Sequence, residues 1–403
     1  MQEIKLHQPI IDTVIVCLKS VFEEQNVADK EVAAILKQNK SFGSRDRSII
    51  AETVYDVIRW KLKYEYLAEQ LQLTSYKSLL LISLLNRNYS LRNQEILGVD
   101  AANIIQLTKL LEQPITEDYI AQSYPKIFYN FCLESIGEKW HSIAVALNKK
   151  PKVFIRVNTL KTTILNVASL LENENVSIKV LDNNVIEIQS KNNLKNSDLY
   201  RQGLFEFQDI GSQEIGDFVF DAIDDKAKIN ELKILDLCAG AGGKTLHLSA
   251  LLNNKGKIYA TDYKPTRLKN LHQRAEQAGC KNIEIIDFKE AKTLKNIDIV
   301  LIDAPCSGTG TFKRQADLKY KLTKEKIKEY QTIQASLLEV YKNVIAKNGK
   351  IIYATCSILP KENELQIEDF INLNTSFKFN KSKKLLPVDY DGDGFFMAEL
   401  MKV

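Results

Sequence analysis

The first 148 residues are dominated by apolar positions that recur at helical spacing. The clearest segment spans residues 44–71, and its apolar side chains fall on one helical face: Ile50, Val54, Val57, Ile58 and Leu62. Five cationic side chains lie between them: Arg45, Arg47, Arg59, Lys61 and Lys63. This arrangement of charge favours a solvated helix face. The alternative is a face that contacts phosphates. The pattern predicts an all-helical N-terminal domain over residues 1–148.

The pattern changes after residue 148, where short apolar runs with alternating polar positions replace the helical spacing. Residues 153–159 are typical of a strand and residues 160–172 of a helix. Two further strands are predicted at 178–181 and 185–188, joined by a turn at Asp182-Asn183-Asn184. We therefore expect a small α/β segment over residues 149–230 that also connects the two larger domains.

From residue 231 onward, short apolar runs alternate with helical patterns. Strands are predicted at residues 233–237, 257–261, 283–286, 297–302 and 350–354, and the longest helix at 323–346. Buried strands that alternate with helices favour an α/β fold with a mostly parallel, doubly wound sheet. Such sheets bind ligands outside the carboxyl ends of their strands, so we expect the functional residues at these ends.

Composition and charge narrow the class of protein. The 403 residues are 45% hydrophobic and 26% charged, which is typical of two or three globular domains. The formal net charge is +4, and residues 1–150 hold 18 basic and 18 acidic side chains, so the basic excess lies after them. No apolar run approaches the roughly 20 residues of a membrane span, and the start lacks a signal-peptide pattern. We expect a cytoplasmic protein with reduced thiols, and no metal site, because no CxxC pair is present.

A glycine-rich loop follows the first strand of the C-terminal region. Residues 235–245 read Leu-Asp-Leu-Cys-Ala-Gly-Ala-Gly-Gly-Lys-Thr, which matches neither the dinucleotide fingerprint nor the Walker A spacing. Glycines allow a tight turn and close approach of a ligand. Asp262 ends the second strand, where a carboxylate can accept both hydroxyls of a ribose, and Asp287 ends the third, where it can hold an adenine amino group. The alternative is a structural turn with solvated aspartates.

Two cysteine motifs follow the fourth and fifth strands. The first is Asp303-Ala304-Pro305-Cys306-Ser307-Gly308-Thr309-Gly310, and the second is Tyr353-Ala354-Thr355-Cys356-Ser357. If the two strands are neighbours, both thiols share one cleft. A thiolate that adds to carbon 6 of cytosine makes carbon 5 nucleophilic toward an electrophilic methyl group, and Asp303 is placed to stabilise the adduct at ring nitrogen 3. A second thiol would help to remove the carbon-5 proton, but the spacing does not decide which cysteine attacks.

These motifs resemble those of the RsmB/NOP family of ribosomal RNA (cytosine-5) methyltransferases, the bacterial Fmu/Sun group. The resemblance covers residues 124–403 and includes four further segments, at residues 156–159, 207–213, 360–364 and 393–396. It implies a Rossmann-like class I methyltransferase domain over residues 231–403. The N-terminal helices resemble the family's NusB-like RNA-binding domain, chiefly through Arg45-Asp46-Arg47 and residues 55–60.

The resemblance also implies residue roles. It makes Cys356 the nucleophile and gives Cys306 a part in product release. It implies S-adenosylmethionine as the methyl donor, with Asp262 on the ribose and Asp287 near the adenine. The expected cofactor-binding residues are Cys238, Ala239, Gly240, Ala241, Gly242, Gly243, Lys244, Asp262, Arg267, Asp287 and Asp303. The chain departs from the family at Ala241, where proline is common, and at Gln315, where a histidine is usual.

The resemblance implies RNA as the partner, with contacts from the small α/β segment. It favours 16S ribosomal RNA, and the same chemistry on transfer RNA or 23S ribosomal RNA is the alternative. A non-catalytic RNA-binding assembly factor is a further alternative, against which the intact Cys306, Cys356 and Asp303 argue. We expect a monomer that does not enter membranes.

A basic stretch supports an RNA partner. Residues 313–328 hold seven cations and two acids, with Phe312 and Tyr320 nearby. Lysines at such a surface bind backbone phosphates and aromatic rings stack on exposed bases. The alternative is a solvated helix start.

Overall fold

The computed structural model describes residues 2–182, 184–190 and 194–403. The chain forms two compact units. The first comprises the residues through Lys149 together with Phe312–Thr323, and the second comprises Lys150–Thr311 and Lys324–Val403. No helix within the described residues is long and apolar enough to cross a membrane. The turn predicted at residues 182–184 includes Asn183, which lies outside the described residues.

The helices and strands are numbered along the chain. The helices are α1 (Gln8–Phe22), α2 (Ala28–Gln38), α3 (Ser44–Glu69), α4 (Tyr76–Asn86), α5 (Ala101–Glu112), α6 (Asp118–Ala121), α7 (Lys126–Ile136), α8 (Lys139–Leu147), α9 (Ile164–Asn173), α10 (Asp198–Arg201), α11 (Ile210–Asp221), α12 (Gly243–Leu251), α13 (Leu271–Ala278), α14 (Leu318–Lys321), α15 (Lys324–Tyr341) and α16 (Glu364–Leu373). The strands are β1 (Gln2–Ile4), β2 (Tyr89–Leu91), β3 (Val153–Val157), β4 (Ile178–Val180), β5 (Val185–Ile188), β6 (Phe205–Phe207), β7 (Lys233–Asp236), β8 (Lys257–Ala260), β9 (Ile283–Ile285), β10 (Ile297–Asp303), β11 (Ile345–Thr355), β12 (Phe377–Leu385) and β13 (Phe395–Lys402).

The first unit is helical and has one apolar core, to which α1, α3 and α4 contribute most. Helix α3 buries four of its five predicted apolar side chains, because residues at helical spacing point to one side. One of its cations, Arg47, is used within the unit. Arg47 donates to the backbone oxygens of Leu36 (2.6 Å), Asn39 (2.8 Å) and Phe42 (2.9 Å), and so holds the end of α2.

Residues 312–323 pack into this helical unit, which corrects part of the predicted basic surface. Lys319 is fully buried, and its Nζ donates to the Arg59 carbonyl (3.2 Å) and lies 4.1 Å from the centre of the Tyr124 ring. Burial lowers the pKa of Lys319 well below its ordinary value. This lysine is therefore part of the interior and is not available to RNA phosphates.

Two neighbours of Lys319 are also held inside the unit. Tyr320 packs edge-on against Phe22 at 5.5 Å, and Lys321 pairs with the buried Asp317 at 2.6 Å. The prediction of a basic RNA surface is therefore wrong for Lys313, Lys319 and Lys321, whose side chains are largely buried in this unit. The exposed lysines of the stretch are Lys324, Lys326 and Lys328.

The second unit contains two sheets, of which the smaller is antiparallel. Its four strands lie in the order β4-β5-β3-β6, and α9 buries Val167 and Leu171 against them. Helix α9 begins four residues later than predicted, because the Thr163 hydroxyl caps it by accepting from the Asn166 amide (3.4 Å).

The larger sheet has seven strands in the order β12-β13-β11-β10-β7-β8-β9. Strands β7 to β11 pair in parallel, which confirms the predicted doubly wound, Rossmann-like fold. Strands β12 and β13 add an antiparallel edge that the sequence analysis did not predict. The helix predicted at residues 323–346 ends at Tyr341, because Val344 and Ile345 enter the core and β11 begins there.

Candidate active site

The glycine-rich loop turns sharply between β7 and α12. Gly240 and Gly242 have φ angles of +56° and +90°, a region that favours glycine. A Cβ atom on Gly242 would stand 2.1 Å from the Leu271 side chain, whereas one on Gly240 would meet no atom within 4 Å. The loop is therefore closed on its Leu271 side and open at Gly240, where a ligand can approach the backbone.

Asp262 lies directly beyond β8 and organises this loop. Its carboxylate is buried and accepts from the Gly240 amide (3.1 Å) and the Lys264 amide (2.9 Å). The Arg267 guanidinium is 3.9 Å from the same carboxylate and is half-exposed. Asp287, beyond β9, is exposed and accepts from the Lys289 amide (2.7 Å). Both carboxylates thus lie at carboxyl ends of parallel strands.

Asp236, the last residue of β7, is a buried carboxyl. Its Oδ2 accepts from the Thr245 hydroxyl (2.7 Å), and within the described residues its Oδ1 has no hydrogen-bond partner. Because burial penalises the charged form, the pKa of Asp236 is raised to about 7. This carboxyl is therefore largely protonated in mildly acidic solution.

We expect Asp236 to make the protein less stable as the pH rises from about 4 to about 7. In this range the folded protein retains the proton, whereas the unfolded chain has lost it, so the free energy of unfolding decreases with pH. Asp236→Asn should remove a decline on the order of 2–4 kcal/mol. Urea unfolding from pH 5 to pH 8 measures it, with the exposed Asp369→Asn as the control. An unchanged slope in Asp236→Asn would contradict the assignment.

Lys244 and Asp303 form an ion pair at the base of the site. Lys244 stands in the first turn of α12 and Asp303 ends β10, and the Nζ to Oδ2 distance is 2.7 Å. Burial alone would lower the pKa of Lys244, but the Asp303 carboxylate raises it above its ordinary value. Asp236 and Cys356 add to that increase. A cation is thus fixed beside the second cysteine motif.

The two cysteine motifs meet because β10 and β11 are adjacent. Asp303 pairs with Ala354 in the parallel register, and the sulfurs of Cys306 and Cys356 are 3.3 Å apart. The Gly310 amide donates to the Cys356 carbonyl (2.9 Å), which joins the two loops again. The hydrogen bond to Cys356, together with burial, raises the pKa of the Cys306 thiol well above its ordinary value. Cys306 therefore keeps its proton at neutral pH.

Two further side chains support these loops, and neither was identified from the sequence. Arg274 of α13 donates to the Ala241 carbonyl and to Glu206 Oε2 (2.7 Å), which ties the glycine loop to β6. Glu362 is fully buried and contacts both cysteine motifs. Arg274 gave no signal because it occupies an ordinary polar position of an amphipathic helix. Glu362 lies inside the segment 360–364, whose only signal in the sequence is its resemblance to the family.

Cys238 follows β7 and packs against the core of the sheet. Burial raises its pKa well above the ordinary value, with the charges of Asp303 and Asp236 adding to the effect. Among the described residues, Cys238 makes no hydrogen bond to Cys306 or Cys356. Within the described residues, no cluster of three or more histidine, cysteine or acidic side chains could hold a metal ion.

Two solved structures share this architecture. The crystal structure of PH0851 has a TM-score of 0.80 and 23% sequence identity, covering 99% of this chain and all of its own. The crystal structure of a methyltransferase homolog protein from Pyrococcus horikoshii has a TM-score of 0.59 and 24% identity, covering 71% of this chain and 98% of its own. This likeness shows that the fold belongs to the Rossmann-like class.

The sequence is similar to one family within that class. The family described as 16S rRNA methyltransferase RsmB/F matches residues 226–401, and the RsmF/B-like ferredoxin-like domain matches residues 124–193. The ribosomal RNA small subunit methyltransferase B of Proteus mirabilis is 25% identical over 429 aligned residues, covering 96% of this chain and 100% of that protein. The chain belongs to the RsmB/F family, which confirms the resemblance and makes it an S-adenosylmethionine-dependent RNA methyltransferase.

Proposed function

We propose that this protein transfers a methyl group from S-adenosylmethionine to carbon 5 of a cytosine in 16S ribosomal RNA, through a covalent bond between Cys356 and carbon 6. The observation that carries the proposal is the pair of thiols, 3.3 Å apart, at the ends of two adjacent parallel strands. Such a pair supplies a nucleophile and a second group for proton removal at the same ring.

The residues at the strand ends fit S-adenosylmethionine. The open space at Gly240 admits a ligand to the loop backbone, and Asp262 is fixed for a ribose beside it. Arg267 and Asp287 are exposed near the ends of the next strands, where an adenine would lie. Bound there, S-adenosylmethionine supplies an electrophilic methyl group. The proposed holding residues are Cys238, Ala239, Gly240, Ala241, Gly242, Gly243, Lys244, Asp262, Arg267, Asp287 and Asp303.

We assign the attack to Cys356, as the resemblance to the family implies. The Cys306 thiol lies 3.3 Å from the Cys356 sulfur and can donate a hydrogen bond to it. The Lys244 ammonium places a positive charge near Cys356. The Cys356 thiolate adds to carbon 6 of cytosine, and the electron pair of the 5,6 double bond then becomes available at carbon 5.

Cys306 acts after the attack. Once the Cys356 sulfur is bonded to carbon, it no longer accepts from Cys306, and the largest cause of the raised pKa of Cys306 is removed. Cys306 can then give up its proton to solvent and, as a thiolate, take the one on carbon 5. The electrons of that C–H bond re-form the double bond and release Cys356 as a thiolate.

The Lys244–Asp303 pair stabilises the adduct. Attack at carbon 6 increases electron density on ring nitrogen 3. Asp303 lies at the end of β10, three residues before Cys306, and holds a proton donor, Lys244 Nζ, at 2.7 Å. We assign this pair to hydrogen bonding with nitrogen 3 in the adduct, where a group that donates more strongly as charge develops accelerates the step.

The substrate assignment is supported by the family. The matched family is described as 16S rRNA methyltransferase, and the relative in Proteus mirabilis acts by name on small-subunit ribosomal RNA. We propose that the chain acts as a monomer. The same chemistry on transfer RNA or 23S ribosomal RNA is the second candidate. A non-catalytic role is disfavoured, because the thiol pair and the Lys244–Asp303 pair are both complete.

Incubation with labelled S-adenosylmethionine tests the function. Purified protein, given 16S ribosomal RNA that lacks its modifications, should form 5-methylcytosine, detected by nucleoside chromatography and mass spectrometry. Transfer RNA and 23S ribosomal RNA serve as parallel substrates. Label in another nucleoside, or none with any RNA, would contradict the proposed chemistry, and label only in transfer RNA would contradict the substrate.

A further inference from the structure

Glu362 is a fully buried carboxylate that lies between the two cysteine motifs. Its Oε1 accepts from the Ser307 amide (2.9 Å) and from Gln334 Nε2 (3.1 Å). Its Oε2 accepts from the hydroxyls of Ser307 and Ser357, the latter at 2.6 Å. All four of these donors are neutral, so among the described residues Glu362 is stabilised by hydrogen bonds and by no ion pair.

The donors to Glu362 come from the residues next to both thiols. Ser307 directly follows Cys306, and Ser357 directly follows Cys356. Gln334 Nε2 donates also to the carbonyl of Pro305 (2.9 Å), the residue before Cys306. The carboxylate therefore binds the residue after each cysteine directly, and Gln334 connects it to the residue before Cys306.

The position of Glu362 is itself fixed by the second motif. The Tyr353 hydroxyl donates to the Glu362 carbonyl (2.7 Å), and the neighbouring Asn363 donates from Nδ2 to the Ser357 carbonyl (2.8 Å). Asn363 also accepts from the Thr355 hydroxyl (2.5 Å). The turn before α16 is thus attached to the end of β11 by three bonds, and a shift of either loop would leave buried polar groups unpaired.

We propose that Glu362 is a positioning residue that holds the Cys306 and Cys356 sulfurs at the separation the reaction needs. This inference rests on the proposed cytosine-5 function and adds to it a group that touches neither RNA nor cofactor. Removal of Glu362 frees the Ser307 and Ser357 loops to move apart. A displacement of about 1 Å at reacting groups lowers a rate by on the order of 100-fold.

The Gln and Ala variants distinguish position from charge. In Glu362→Gln the amide oxygen still accepts from Ser307 N and Gln334, and its N–H groups can donate to the two hydroxyls, which rotate to accept. We expect Glu362→Gln to keep at least about a third of the wild-type kcat, and Glu362→Ala to lose about 100-fold with the KM for S-adenosylmethionine within about threefold. Glu368→Gln and Glu368→Ala, on the exposed face of α16, are the matched controls and should retain wild-type kcat.

A second readout needs no RNA. Phenylarsine oxide bonds two thiols held close together, with release of one water, and its binding can be followed by intact-mass spectrometry with ethanedithiol as competitor. Wild-type protein and Glu362→Gln should bind it alike, Glu362→Ala at least about tenfold more weakly, and Cys306→Ala serves as the blank. If wild type binds the arsenical but makes no 5-methylcytosine, the proposed function fails while the positioning role of Glu362 remains measurable.

The results that overturn the inference are specific. A folded Glu362→Ala with wild-type kcat and wild-type arsenical binding would overturn it, and so would a Glu362→Gln as impaired as Glu362→Ala, because charge would then be the cause. If Glu362→Ala does not fold, Ser357→Ala removes one of the four bonds and should lower kcat about tenfold. Unchanged kcat in Ser357→Ala would contradict the proposal.

Discussion

Cys356→Ala should abolish methyl transfer, lowering kcat by on the order of 10⁴-fold or more. Without the sulfur, carbon 5 of cytosine has no electron pair to offer, and neither the fold nor the cofactor loop compensates for that loss. Cys356→Ser should be nearly as inactive, because a hydroxyl of ordinary pKa supplies almost no oxyanion. Binding of S-adenosylmethionine should be kept, since the glycine loop and Asp262 are untouched, and calorimetry measures it.

Cys280→Ala is the matched control for Cys356→Ala. Cys280 follows α13 and is not part of the proposed reaction. Among the described residues, it makes no hydrogen bond to either cysteine motif. We expect its kcat to remain within about twofold of wild type. If Cys356→Ala kept full activity and Cys306→Ala could no longer attack, the roles of the two thiols would be reversed.

Cys306→Ala should accumulate a covalent protein–RNA complex. Cys356 can still attack, and the methyl group can still be transferred, but the proton on carbon 5 has no nearby thiol to receive it. Release then becomes slow, by roughly 100-fold or more. A denaturing gel should show a slowly migrating band that depends on both S-adenosylmethionine and RNA and is digested by ribonuclease.

The double variant Cys306→Ala/Cys356→Ala separates this complex from unspecific cross-links. It should form no such band, because the attacking sulfur is gone. A band of equal intensity in the double variant would mean that another residue attacks the RNA. Little or no accumulation in Cys306→Ala, with normal turnover, would exclude a part for Cys306 in release.

The sequence predicted the residues of the proposed reaction better than the side chains that hold them in place. The strands that end at or just before Asp236, Asp262, Asp303 and Cys356 were predicted with their C-terminal ends within one residue, because each is an apolar run that ends at a polar motif. The order of these strands in the sheet was not predicted, since strand order depends on packing between segments that are distant in sequence. The 3.3 Å contact of the sulfurs follows from the pairing of β10 with β11.

The failures have physical causes of their own. Strand β12 was missed because it is an exposed edge strand rich in lysine, which protects a sheet edge and gives little apolar signal. Strand β13 is buried along most of its length, and such a run shows no period of two. Lys319 was expected at the surface, yet it is buried in a core beside Arg59, Asn148 and Tyr124, an environment that its place in the sequence does not show.

The most direct test maps the sulfur that bonds to RNA. Trypsin separates the two candidates, because cleavage after lysine leaves Cys306 in the peptide 296–313 and Cys356 in the peptide 351–361. Wild-type protein is trapped on RNA that carries 5-fluorocytidine, because fluorine at carbon 5 blocks the proton removal that releases the enzyme. The complex is digested with trypsin and ribonuclease and sequenced by tandem mass spectrometry. We predict a cytidine that carries one methyl group attached to Cys356 in peptide 351–361. Attachment to any other residue, or a trapped complex without the methyl group, would contradict it.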